Sequence, residues 1–193
     1  MPSALLQRIA AGDTQAFAEL VDMHQGPLFG FLGRMGCQQA QAEDLAQETF
    51  LRAWTQLPRY QPDRAQFNTW LFTIARNLAC NALQSAAHRQ EASGEALPEI
   101  ACPQPGPEHT LDQLQQSARL QAALRQLPLA DRSALALVYV QDLALADVAR
   151  IEGDSLAAIK TRLHRAKQRL RVLLATDTEK PHDSSQDLSL IHI

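Results

Sequence analysis

The sequence predicts an all-α protein: two small helical domains joined by a Pro/Gly-rich flexible linker, the second containing a helix-turn-helix. Three observations predict it. Alanine and leucine dominate while β-branched and aromatic residues are sparse, a composition that favours helix over strand. Apolar residues recur at intervals of three and four through most of the chain, which is the period of a one-sided helix. That periodicity stops between 88 and 108, where Ser93, Gly94, Pro98, Pro103, Pro105, Gly106 and Pro107 cluster. Such a stretch reads as a linker. The expected units are 1–88, a linker at 89–109, 110–175, and a polar tail at 176–193.

In the first unit, Asp13 is the N-cap of a helix burying Phe17, Leu20 and Val21. Gly26-Pro27 is expected to interrupt or kink it before Leu28, Phe31 and Leu32. A second helix runs from about Ala40 to Gln56, with Ala42, Leu45, Ala46, Thr49, Phe50, Ala53 and Trp54 as its apolar stripe. Leu57-Pro58 ends it. Arg59 to Gln66 reads as a loop around Pro62-Asp63. A third helix, about Asn68 to Ala87, buries Leu71, Ile74, Ala75, Leu78 and Ala82. Thr73, Arg76, Asn77, Cys80, Asn81 and Gln84 form its opposite face.

In the second unit a helix starts near Leu111 and stops at Leu127-Pro128, and another covers about Leu129 to Gln141. A short amphipathic piece, Leu145 to Ile151, meets a break at Glu152-Gly153-Asp154, and a long helix begins near Ser155. Leu156, Ile159, Leu163, Ala166, Leu170 and Leu173 line its apolar side. The polar tail is expected to be disordered. Its last residues, Leu-Ser-Leu-Ile-His-Ile, fit nothing before them and read as a translated sequencing-adaptor end.

The formal net charge of −3 argues against nucleic acid only if charge is spread evenly, and it is not. From Ser155 to Leu174 the charged residues are Lys160, Arg162, Arg165, Lys167, Arg169 and Arg171, with no carboxylate. A nucleic-acid footprint is a local patch, so the overall sign decides little. Cys37, Cys80 and Cys102 make neither a disulfide framework nor a metal-ligand pair. There is no apolar run long enough to span a bilayer and no signal-peptide layout. The expectation is a cytoplasmic protein.

A short helix, a turn containing Gly153 and a longer basic helix form a helix-turn-helix pattern. Ala157, Ala158, Thr161, Arg162 and Arg165 point away from the apolar anchor, with Lys160 and His164 at its edges. Arginine can grip guanine with two hydrogen bonds, and small alanines allow close approach to a groove. The plain alternative is a solvated basic helix in a bundle, or a coiled-coil strand. A second candidate surface joins Arg59, Tyr60 and Arg64 of the loop to Thr73, Arg76 and Asn77 of the third helix. A ring, an amide and a cation could hold an unstacked base, although residues such as Tyr60 and Phe67 are more often core or loop packing. Glu43, Asp44 and Glu48 cluster without a histidine at ligand spacing, and no nucleophile or phosphate loop occurs. No catalysis, cofactor or metal is assigned.

Taken together these segments resemble a known family. Gln41–Trp54 (QAEDLAQETFLRAW) is similar to the polymerase-binding helix of extracytoplasmic-function (ECF) sigma factors of bacterial RNA polymerase. Phe67–Ala79 (FNTWLFTIARNLA) resembles that family's next signature helix, and Ile159–Lys167 (IKTRLHRAK) its promoter-reading helix. The likeness covers about residues 4–175, in order. It implies a non-enzymatic sigma factor directing core RNA polymerase to promoters. Glu43, Asp44, Gln47 and Glu48 would face the β′ clamp, and the second domain would meet the β flap. Arg52, Tyr60, Thr73, Arg76 and Asn77 would contact the −10 element, Tyr60 and Asn77 pocketing a flipped base. Lys160, Thr161, Arg162, His164 and Arg165 would read or flank the −35 element, with Lys167 on phosphate. An anti-sigma factor is an expected partner. Two departures stand out. Gln84 and Ser85 replace basic residues usual after the Asn77 face, and Ala157-Ala158-Ile159 lacks the hydroxyl usual at that turn. The competing classes are an independent helix-turn-helix regulator and a sigma-like module that only sequesters a partner.

Overall fold

The computed structural model describes residues 2–93 and 111–176. Among them every regular element is helical: α1 (Pro2–Ala10), α2 (Thr14–Met35), α3 (Gln39–Gln56), a 3-10 turn (Leu57–Arg59), α4 (Phe67–Ser93), α5 (Leu111–Arg125), α6 (Leu129–Tyr139), α7 (Leu145–Glu152) and α8 (Leu156–Thr176). The expected linker core and tail lie outside the described residues. Helix α4 continues to Ser93, past the expected boundary.

Asp13 caps α2 as its sequence suggests: its carboxylate accepts the Ala16 N–H at 3.1 Å. The Ala16 bond and then Arg8 hold the Asp13 carboxyl below its usual pKa. Gly26-Pro27 does not interrupt α2. Pro27 is exposed, so the lost backbone bond falls on the solvent side. Leu20, Leu28, Phe31, Leu32 and Met35 are all essentially inaccessible on the other side, and their burial outweighs a proline penalty of about 3 kcal/mol. The helix ends at Gly36, whose φ of +99° closes a left-handed cap.

Helices α2, α3 and α4 pack on one another. Phe31 and Phe72 meet edge-to-face with ring centroids 5.4 Å apart, an arrangement aromatic quadrupoles favour. The stripe of α3 is buried as expected, with Thr49 turning its hydroxyl onto the Leu45 carbonyl at 2.7 Å. Trp54 is the exception and lies at the rim against Phe17.

Helix α4 departs from the one-sided reading. Phe72, Ala79 and Cys80 are buried along with Leu71, Ala75 and Leu78, whereas Ile74 and Ala82 are only partly covered. The reason is tertiary: Phe72 meets Phe31 of α2, and α7 also packs on α4. Burial pushes the Cys37 thiol up to about 12 and raises that of Cys80. Both are free thiols held as small apolar side chains.

A candidate promoter and polymerase interface

Helices α7 and α8 form the expected helix-turn-helix. Gly153 ends α7 with φ +71° in a left-handed cap, a conformation that favours glycine. Ser155 then caps α8: its hydroxyl accepts the Ala158 N–H at 3.2 Å. Ile159, Leu163 and Ala166 anchor α8. Leu156 does not. It is 44% exposed.

The opposite face of α8 frames an open groove of about 490 Å³ lined by Ala157, Ala158, Thr161, Arg162, Arg165 and Arg169, with Asp131 at its base. Its cations are not equivalent. Arg162 is tied to Asp154 at 2.6 Å and Glu152 at 3.4 Å, and Arg169 to Asp131 at 3.1 Å. Lys167 sits over the Tyr139 ring, 5.6 Å from its centroid. Thr161 bonds back to the Ala157 carbonyl, and His164 pairs with Gln168. Arg165 and Lys160 are exposed and form no ion pair among the described residues.

In the first domain, Glu43, Asp44 and Gln47 are exposed on α3 and Glu48 is half-buried. Glu48 pairs with Arg52 at 2.6 Å, and Gln39 donates to Glu43 at 3.2 Å. Leu51, 54% exposed, continues the line one turn on from Gln47. Among the described residues, the main packing partners of the helix that carries this acidic stripe and its apolar end, α2 and α4, lie in the first domain. Leu51 was not singled out by the sequence, where it merges with the apolar periodicity of α3.

The expected −10 residues fall into two places. Tyr60 packs against Phe67 and Trp70, with centroids 5.7 and 5.1 Å away, and its hydroxyl donates to the Ala65 carbonyl at 2.9 Å. It lines a mainly apolar cleft of about 700 Å³ with Met23, His24, Leu57, Pro58 and Phe67. Asn77 lies along α4 in a different cleft of about 390 Å³, with Arg76, Asn81, Gln84 and Leu129. Tyr60 and Asn77 therefore do not share a pocket here. Thr73 bonds back to the Thr69 carbonyl at 2.8 Å, and Arg52 is held by Glu48. Met23 and His24 of the Tyr60 cleft have no local signature, because only the folding of α2 against the loop brings them there.

Residues 20–89 match the family model for Sigma-70 region 2, and residues 117–170 that for Sigma-70, region 4. The chain is 32% identical to the ECF RNA polymerase sigma factor BldN of Streptomyces coelicolor, across 90% of its own length and 66% of that protein. It is 35% identical to the RNA polymerase sigma factor CarQ of Myxococcus xanthus, across 88% of its length and 95% of the relative. Among solved structures, the sigma factor RpoE in complex with the anti-sigma factor NepR from Bartonella quintana superposes with a TM-score of 0.70 at 28% identity, covering 83% of this chain and 98% of that one. The chain belongs to the ECF sigma factor family of bacterial RNA polymerase. Its function is that family's: core-polymerase binding and promoter-DNA binding in transcription initiation. No helix among the described residues is long and apolar enough to cross a membrane.

Proposed function

We propose that the chain is a non-catalytic initiation factor whose α8 groove reads a −35 duplex and whose α3 acidic stripe docks on the β′ clamp. The observation that carries this is the pairing, in one chain, of the exposed cations Lys160 and Arg165, in no ion pair among the described residues, on a capped recognition helix with an exposed acidic stripe on a separate domain. A plain repressor needs the first and not the second. Arg165 is the main base-reading candidate, since its guanidinium is exposed beside the small side chains of Ala158 and Thr161. Lys160 is placed to meet phosphate. Arg162 would read only after yielding Asp154, and Lys167 would support the helix through Tyr139.

For the −10 element, the Tyr60 cleft is the better receptacle for a flipped base: it is apolar, ringed by aromatics and large enough for one. Arg76 and Asn77 would follow the strand beyond it, with Arg52 and Thr73 as minor contacts. Without basic residues at Gln84 and Ser85, this strand contact relies on few cations. An anti-sigma factor is the proposed regulator, supported by the sigma–anti-sigma complex among the similar structures.

Footprinting tests the reading. The chain with purified core polymerase should protect promoter DNA over both elements, and neither should do so alone. Equal protection by the chain without polymerase would favour an independent duplex-binding regulator.

A further inference from the structure

His24 gives the Tyr60 cleft a polar group whose hydrogen-bonding sense is fixed. It stands on α2 with its Nδ1 2.8 Å from the Leu20 carbonyl oxygen. A carbonyl can only accept, so Nδ1 is the nitrogen that bears the proton. A neutral imidazole has a single N–H. Nε2, at the far end of the ring, is therefore a lone-pair acceptor, and it makes no hydrogen bond among the described residues. The ring lines the cleft and meets Phe67 edge-to-face, with centroids 5.4 Å apart. Tyr60 meets the same Phe67 at 5.7 Å. Phe67 is 2% exposed, so one buried ring sets the spacing between the aromatic face of Tyr60 and the acceptor of His24.

The rest of the lining narrows what the cleft can read. Among the described residues no carboxylate, lysine or arginine lines it, so a phosphate has no counter-charge there and a neutral heteroaromatic ring fits. The Tyr60 hydroxyl is engaged with the Ala65 carbonyl, which leaves Tyr60 its face for stacking and no free proton for a base edge. Gln7, Gln66 and Asn68 also line the cleft. An amide can turn to present either its oxygen or its NH2, so these three discriminate little between donor and acceptor edges. His24 cannot turn without giving up its contacts with Leu20 and Phe67.

We propose that His24 sets the base specificity of the Tyr60 cleft: its Nε2 accepts from the exocyclic amine of the captured base, and thymine is disfavoured. The inference rests on the base capture proposed above for this cleft. Cytosine, adenine and guanine each carry an exocyclic amine, and thymine carries none. Thymine's one donor, N3–H, lies recessed between two carbonyl oxygens, whose lone pairs would face that of Nε2. A thymine in the cleft thus leaves acceptors facing one another, and an unmade hydrogen bond of this kind costs more than a made one returns.

Selection from a promoter library randomised through the −10 element, with core polymerase and the full chain, tests this. The wild type should disfavour thymine roughly tenfold at one non-template position, the effect of one hydrogen bond lost to an unpaired acceptor. His24→Phe keeps an aromatic ring against Phe67 and removes the acceptor. It should erase that discrimination and leave preferences at the other −10 positions and at −35 unchanged. His24→Gln decides the matter if His24→Phe does not fold, because its amide takes either edge and should tolerate thymine too. Thymine accepted by the wild type at every position, or its exclusion persisting in a folded variant, overturns the proposal. So does an equal loss of every promoter, which would mark His24 as packing alone. Tyr60→Ala separates the two ideas. If it leaves all −10 preferences untouched, the base-capture reading fails; if it weakens −10 selection while the His24 variants change nothing, only the role of His24 falls.

Discussion

Arg132 caps a helix that belongs to the other half of the chain: its Nη1 donates to the Met35 carbonyl at 2.8 Å, at the negative end of α2. Burial lowers the guanidinium's pKa, so the position of this charge matters. Gly36, next in the chain, makes the approach possible. A Cβ at Gly36 would lie 2.6 Å from that same nitrogen, and φ there is +99°. Gly36→Ala should therefore destabilise the chain by about 1–2 kcal/mol from the left-handed backbone alone, seen as a lower urea midpoint. An unchanged midpoint would mean that the cap relaxes freely.

Arg165→Ala should weaken promoter binding by about 1–3 kcal/mol and relax preference at one −35 position. Measuring affinity across a set of single-base variants checks this. A uniform loss on every sequence would assign Arg165 to phosphate instead.

Asp44→Arg reverses the charge of an exposed α3 residue. It should lower affinity for core polymerase by tenfold or more, about 1.4 kcal/mol, and leave thermal stability unchanged. Co-purification equal to wild type would count against the α3 interface.

Acid should loosen the start of α2 through Asp13. Its folded pKa lies below the ordinary value of 3.8, so its contribution is fully present above that value. It is lost as the pH falls through the lower folded value. Wild type should melt above Asp13→Asn at neutral pH, and the gap should close on acidification. A gap constant to pH 2 would show that the charge plays no part in the cap.

Most helices were legible from periodicity because their burial is one-sided. The α3 stripe and the Ser155 start of α8 follow from local spacing and capping chemistry, as does the Gly153 turn. What escaped is non-local. Phe72 is buried against Phe31 of α2 while a second domain packs on α4 as well, and more than one buried face blurs a 3.6-residue period. Gly26-Pro27 was expected to interrupt or kink α2, yet the helix runs through it with core burial on the opposite side. The separation of Tyr60 from Asn77, and the Arg76–Glu152 pair 76 positions apart, arise only when the chain folds back on itself.

The central claim is tested most directly by run-off transcription from a promoter library, with purified core polymerase and this chain. The account predicts transcripts from a subset of promoters sharing −35 and −10 sequences, reduced when Arg165 is replaced by alanine. No transcript beyond the core-only control would contradict it.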